Sequence, residues 1–164
     1  MRHEIYKGRI VTLVTLDDHW EVVEHADAVA VLVADGRSVL GVWQRRPAVG
    51  HETWEIPAGL LEEGEEPATA AARELAEEVQ LAGELSLVTS LYASPGFTDE
   101  RVYLFEVAEP RVDTSHAPDP TEDLRLEWRD ALDVWRALAT GTEATSGVTV
   151  LALRHLLARL GEDV

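Results

Sequence analysis

The residues able to do chemistry are concentrated in one stretch, GLLEEGEEPATAAARELAEEVQL, at residues 59–81. Within it Glu74, Glu77 and Glu78 recur at the spacing of three and four that puts side chains on one helical face, within an arc of roughly 100°. Like charges placed that way repel by about 0.2–0.5 kcal/mol per exposed pair. A structural helix would intersperse lysines, whereas Arg73 is the one basic residue in the stretch. Hard cations among the oxygens would relieve the repulsion, since magnesium favours carboxylates together with water and substrate phosphates. On spacing alone, a metal-binding face and a solvated acidic face stand even.

A helix over residues 67–79 has to carry these groups. Pro67 suits the first turn, where its missing N–H is not needed, and ATAAARELAEEV continues with strong helix formers. Ala68, Ala72, Leu75 and Val79 form the face expected to meet the core. Around this helix, short runs rich in β-branched residues predict strands at 9–16, 20–25 and 28–34. Asp35-Gly36 offers a turn into a return strand at 39–46, so 28–46 reads as a hairpin. A short strand at 53–59 and two more in 85–94 and 101–109 flank the turn-rich SPGFTDE at 94–100. Residues 109–123 make a long polar loop, of the kind often functional in compact domains, and LRLEW at 124–128 a last strand. Helices near 129–140 and 146–160 end the chain, the second with Leu151, Leu153, Leu156, Leu157 and Leu160 as its apolar face. The expected fold class is α/β of the α+β kind, a sandwich with a mixed sheet. Residues 1–25 are expected to form a separate strand arm and residues 26–164 the main domain.

Composition narrows the function classes. At 164 residues with 46% hydrophobic content and a mean hydropathy of −0.10, the chain suits one domain plus an arm. It contains no cysteine, which excludes disulfides, thiolate metal sites and cysteine nucleophiles, so any metal is held by oxygen or imidazole. Thirty-one acidic against fourteen basic residues give a net charge of −17, which argues against nucleic acid as a partner. An anionic substrate would then need divalent metal ions and a few well-placed arginines. No apolar run approaches the roughly 20 residues of a membrane span, and MRHEIYKGRI lacks the apolar core of a signal peptide. A cytoplasmic location with no membrane partner is the expectation.

Gly59, Glu65, the run Arg73-Glu74-Leu75-Ala76-Glu77-Glu78 and Leu81 together resemble the Nudix box, G-x5-E-x7-R-E-U-x-E-E-x-G-U, in which U is aliphatic. One position departs: Gln80 stands where the family has glycine. That glycine is expected to serve a left-handed turn, so Gln80 should cost on the order of 1 kcal/mol locally and leave the carboxylates in place. VEHADAVAVL, QRRPAVG, WEIPAGLLEEGE and SPGFTDE, with Pro95 fourteen residues beyond Leu81, resemble the ADP-ribose pyrophosphatase branch and extend the similarity over about residues 8–129.

The resemblance implies a Nudix-type α/β/α sandwich and magnesium-dependent hydrolysis of ADP-ribose to AMP and ribose 5-phosphate by a homodimer, with manganese as the alternative ion. It implies Glu74, Glu78 and the Ala58 carbonyl as metal ligands, and Glu77 as a further ligand or the water-orienting base. Arg73 would orient a neighbouring carboxylate, and Glu62 and Glu65 would bind metal or support their loop. Glu122, in DPTEDLRLEW, is the second candidate for the base. Arg46 matches an arginine that contacts substrate phosphates. Trp20 and Glu21 fall where the family's adenine pocket draws on the arm of the partner subunit, with His19 where close relatives carry arginine. Phe97, Thr98 and Glu100 belong to a loop expected near the ribose or the metals.

Two other readings stay open: a Nudix hydrolase of another nucleoside diphosphate derivative, such as a nucleotide sugar or an oxidised nucleotide, and a noncatalytic ADP-ribose-binding sensor. Intact Glu74, Glu77 and Glu78 weigh against the sensor. His51-Glu52 begins like a zinc-protease motif, but Glu55 occupies the place of its second histidine. Ser94 and Ser146 lack the surroundings of a nucleophile, and Trp43, Trp54, Trp128 and Trp135 read as packing residues.

Overall fold

The structure is a computed structural model that describes residues 1–114 and 125–163. In chain order the strands β1 (Arg2–Lys7), β2 (Val11–Leu16), β3 (Trp20–His25), β4 (Ala28–Leu32), β5 (Ala34–Asp35), β6 (Ser38–Arg46), β7 (His51–Glu55) and β8 (Ala58–Leu60) precede helix α1 (Pro67–Val79). After it come β9 (Leu81–Tyr92), β10 (Arg101–Val112), β11 (Arg125–Asp130) and helices α2 (Ala131–Ala139) and α3 (Gly147–Arg159).

β4 organises the layers. Its five residues are all buried, as the unbroken apolar run AVAVL requires of a strand covered on both faces. Because successive side chains point to opposite faces, Ala28, Ala30 and Leu32 pack with Val102, Leu104, Val134, Leu153, Leu156 and Leu157, under α2 and α3. Val29, Val31 and Val33 pack with Phe105, Val107 and the α1 residues Ala70, Ala71, Leu75 and Val79. Each fully buried valine or leucine among these stabilises the fold by about 1.5–3 kcal/mol. The result is helix, sheet, helix: the expected α/β/α sandwich. The sheet order is β8-β4-β10-β9, with β4 and β10 parallel and the other pairs antiparallel, so the sheet is mixed. A second sheet runs β11-β6-β5, with β7 also on β6. β1, β2 and β3 form a third, the sheet of the N-terminal residues for which an arm is expected.

Several local expectations are corrected. The hairpin over 28–46 shrinks to Ala34↔Val39 and Asp35↔Ser38, closed by Gly36 at φ +57°, because β4 pairs in parallel with β10 while β6 belongs to the second sheet. The single strand at 53–59 is two, β7 and β8, separated at Ile56-Pro57, where Pro57 has no N–H to give a ladder. On α1 the core face is Ala70, Ala71, Leu75 and Val79, whereas Ala68 and Ala72 are exposed. Leu160 lies exposed past the end of α3. β1 escaped the sequence reading because all six of its residues are exposed and leave no apolar signature. Among the described residues no helix is long and apolar enough to cross a membrane.

Candidate active site

α1 begins with Pro67 in its first turn and ends on Gln80, whose φ of 54° and ψ of 42° make it a left-handed cap. The Gln80 N–H donates to the Ala76 carbonyl at 3.2 Å. The left-handed turn inferred for the box glycine is therefore present, held by a residue with a Cβ.

Arg73 gathers the carboxylates. Its Nε and Nη2 donate to the two oxygens of Glu65 at 3.0 and 2.8 Å, and Nη1 donates to Glu74 at 2.7 Å and Glu77 at 3.2 Å. Nη2 also donates to the Leu60 carbonyl at 3.0 Å, tying the loop before α1 to the edge strand β8. The Arg73 fork and the Glu62 N–H, at 2.9 Å, hold the Glu65 carboxyl below its ordinary range. Glu65 in turn raises the guanidinium of Arg73, the burial of which works in the opposite direction. Glu65 thus ties the loop before α1 to the helix.

Two further contacts place the face of α1 against β8. Glu78 is 8% exposed, and its Oε2 accepts the Ala58 N–H at 3.0 Å. Gly59 lies under Glu74: a Cβ there would fall 2.0 Å from the Glu74 carboxyl carbon, so only glycine lets that carboxylate rest on the backbone. Glu65, Glu74 and Glu77 thus share the Arg73 guanidinium, and Glu78 is held beside them by the Ala58 N–H. Among the described residues no three acidic or imidazole groups stand in ligand geometry, because Arg73 draws Glu74 and Glu77 while Glu78 turns to Ala58. The donor chemistry, carboxylate oxygen beside a backbone cradle, fits a hard divalent cation.

The remaining expected residues are held by other elements. Arg46, the last residue of β6, donates through Nε and Nη2 to both oxygens of Glu55 at 2.9 and 3.0 Å. Burial alone would raise the Glu55 carboxyl, but the bonds from Arg46 and Thr53 outweigh it and hold the group low. Glu55 was not among the expected site residues; its signal was an acid amid the apolar residues of WEIP.

Trp20 and Glu21 open β3 in the arm sheet, and both are exposed. Trp20, at 62%, packs edge-on against His19 and lies outside the core clusters. The loop carrying Phe97 and Glu100 is fastened to β3. The Val23 N–H donates to the Phe97 carbonyl at 2.7 Å, the His25 N–H to Asp99 at 2.9 Å, and the His25 ring stands 3.8 Å from Glu100. Phe97 itself is exposed. His25 is a second neighbour that sequence reasoning missed. Glu122 lies outside the described residues. A cleft of about 410 Å³ opens elsewhere, between Trp43, His51, Glu52 and Trp54 and the α2–α3 turn.

With this geometry in place, comparison with known families matches residues 24–149 to the NUDIX domain, and the chain belongs to that family. The chain is similar to the ADP-ribose pyrophosphatase of Bacillus subtilis (strain 168), with 40% identity over 66% of this chain and 64% of the relative. It is likewise similar to the ADP-ribose pyrophosphatase of Mycobacterium tuberculosis, with 39% identity over 74% of this chain and 60% of the relative. The chain therefore spans just over three fifths of the length of these relatives. A crystal structure described as an ADP compounds hydrolase superposes with a TM-score of 0.77 at 18% identity, covering 99% of this chain and 95% of the other, which shows a common fold.

Proposed function

We propose that the protein hydrolyses the pyrophosphate of ADP-ribose, adding water to give AMP and ribose 5-phosphate. The observation that carries this reading is the seating of Glu74 on Gly59 with Arg73 fixing Glu65, Glu74 and Glu77, in a family whose similar members bear that activity in their names. Glu74, Glu77, Glu78 and the Ala58 carbonyl would hold magnesium, with manganese as the alternative. The ion supplies neutralisation of the diphosphate and acidification of a bound water.

The chain's own residues do the rest. Arg73 limits Glu74 and Glu77 to few rotamers, so their oxygens need little reorganisation. Arg46 presents a planar fork suited to phosphate oxygens. A carboxylate takes the proton of the attacking water, and Glu77 and Glu122 are the two candidates. Trp20 offers an exposed aromatic face for adenine, and Phe97 and Glu100 line the loop beside the arm. Exposed Ile5, Tyr6, Ile10 and Trp20 on and beside the arm sheet support a homodimer in which a second copy covers them. A cytoplasmic enzyme without cysteine is consistent with this form.

The test is hydrolysis of ADP-ribose, GDP-mannose, NADH and 8-oxo-dGTP by the purified protein with magnesium, with and without chelator. Preferential, chelator-sensitive release of AMP from ADP-ribose is expected. Turnover of another substrate alone would discard the ADP-ribose assignment and keep the metal face. Tight ADP-ribose binding without turnover would make the protein a sensor.

A further inference from the structure

Glu55 presents a physical puzzle. It is a carboxylate with 7% of its side chain exposed, paired with an arginine whose side chain is 44% exposed. An ion pair reaching into solvent contributes little stability, and burying the carboxylate costs desolvation that an apolar residue at the end of β7 would avoid. Yet the protein surrounds Glu55 with bonds. Both oxygens accept from Arg46, and one also accepts from the Thr53 hydroxyl. The residues on either side are fastened to the start of α3: Thr145 donates to the Trp54 carbonyl at 2.6 Å, and the Ile56 N–H donates to the fully buried Thr149 hydroxyl at 3.1 Å. Stability does not account for this arrangement; orientation does.

Arg46 needs that orientation. It is the final residue of β6, and its carbonyl accepts the N–H groups of Val49 and Gly50, so its long side chain leaves the sheet where the chain turns toward β7. A guanidinium there would sample many rotamers. Held by a two-point fork on a rigid carboxylate, it keeps one plane. Glu55 lies three residues before Ala58, whose N–H meets Glu78, so one short segment sets both the arginine and the carboxylate face of α1.

We infer that Glu55 is a positioning residue that aims Arg46 at the substrate diphosphate, with Thr53 and the start of α3 as its rigid mount. This rests on the reading of Arg46 as a phosphate contact. Glu55 touches no reacting atom; it acts through Arg46, and its loss should appear in KM more than in kcat.

The experiment compares Glu55→Gln, Arg46→Ala and the double variant for kcat and KM on ADP-ribose with magnesium, with thermal melts for each. Glu143→Gln serves as the structural control, since it breaks a bidentate pair of similar geometry with Arg129, at 2.8 and 2.7 Å. Glu55→Gln is expected to raise KM about tenfold with kcat within about threefold, and to add nothing once Arg46 is alanine. Glu143→Gln is expected to leave KM unchanged. If Arg46→Ala raises KM and Glu55→Gln does not, the positioning role is overturned while the phosphate reading stands. An unchanged KM in Arg46→Ala overturns both. An equal KM increase in Glu143→Gln would reduce the effect to general loosening and overturn the inference. Should Glu55→Gln not fold, Glu55→Asp keeps the charge and draws it back by one methylene; a raised KM supports the role, and a KM like that of the unaltered protein overturns it. If another diphosphate proves to be the substrate, the ADP-ribose reading fails on its own and the same variants are read on that compound.

Discussion

Arg73 and Glu65 are joined by a two-point fork, at 3.0 and 2.8 Å, that closes the loop between β8 and α1. The guanidinium lowers the pKa of Glu65 from its ordinary 4.5, with the Glu62 N–H adding to the effect. A depressed carboxylate contributes stability that is complete above its unfolded pKa and is lost as pH falls through the folded value. The loop closure should therefore hold undiminished at neutral pH and weaken below about pH 4.5. Melting temperatures from pH 7 down to pH 3 should fall less steeply in Glu65→Gln than in the unaltered protein. Parallel curves would mean that the fork carries no such linkage.

Gly59→Ala tests the seat of Glu74. The added Cβ would lie 2.0 Å from the Glu74 carboxyl carbon and 2.1 Å from one of its oxygens, so the end of that flexible side chain has to move. Because β8 and α1 need not move with it, the expected result is a loss of about 10–100-fold in kcat/KM with the melting temperature nearly unchanged. A fully active Gly59→Ala would show that Glu74 does not need this position.

Gln80→Gly should stabilise the protein. Gln80 holds φ +54°, where a side chain costs about 1 kcal/mol relative to glycine, and the change relieves that strain without touching Arg73 or the carboxylates. A gain of about 1 kcal/mol corresponds to a rise of about 2–4 °C in melting temperature for a chain of this size. Activity should stay within about twofold. A fall in melting temperature would mean that the Gln80 side chain makes contacts worth more than the strain.

The legible parts of this protein are those where local chemistry and the final environment agree. Pro67 and the run of helix formers mark α1 to the residue, and the box spacing locates the carboxylate face. The switch of the chain from one sheet to the next at Val33 was not legible, because the partner of β4 is β10, some seventy residues on, and long-range pairing leaves no local signal. The rotation of α1 was misread for a related reason. Ala68 and Ala72 are as apolar as Ala70 and Ala71, and only the docked sheet decides which pair faces inward. Glu55 was given no site role because an acid in the mixed strand HETWE looks like a solvent-facing position until its partners are seen.

Glu78 offers the sharpest test of the metal face. Its carboxylate is nearly buried, and it is tied to β8 through the Ala58 N–H at 3.0 Å. Glutamine has the same shape and retains an oxygen to accept that bond, so Glu78→Gln should fold with a melting temperature within a few degrees of the unaltered protein. What glutamine cannot supply is the negative charge that a hard cation requires. Turnover should therefore fall by about a thousandfold or more, and calorimetric titration should show weakened manganese or magnesium binding. Loss of turnover with metal binding intact would move Glu78 from ligand to substrate contact. Full activity would remove the metal assignment from this face of α1, because Glu78 is bonded to β8 through Ala58 and is the carboxylate that Arg73 does not already engage among its described bonds.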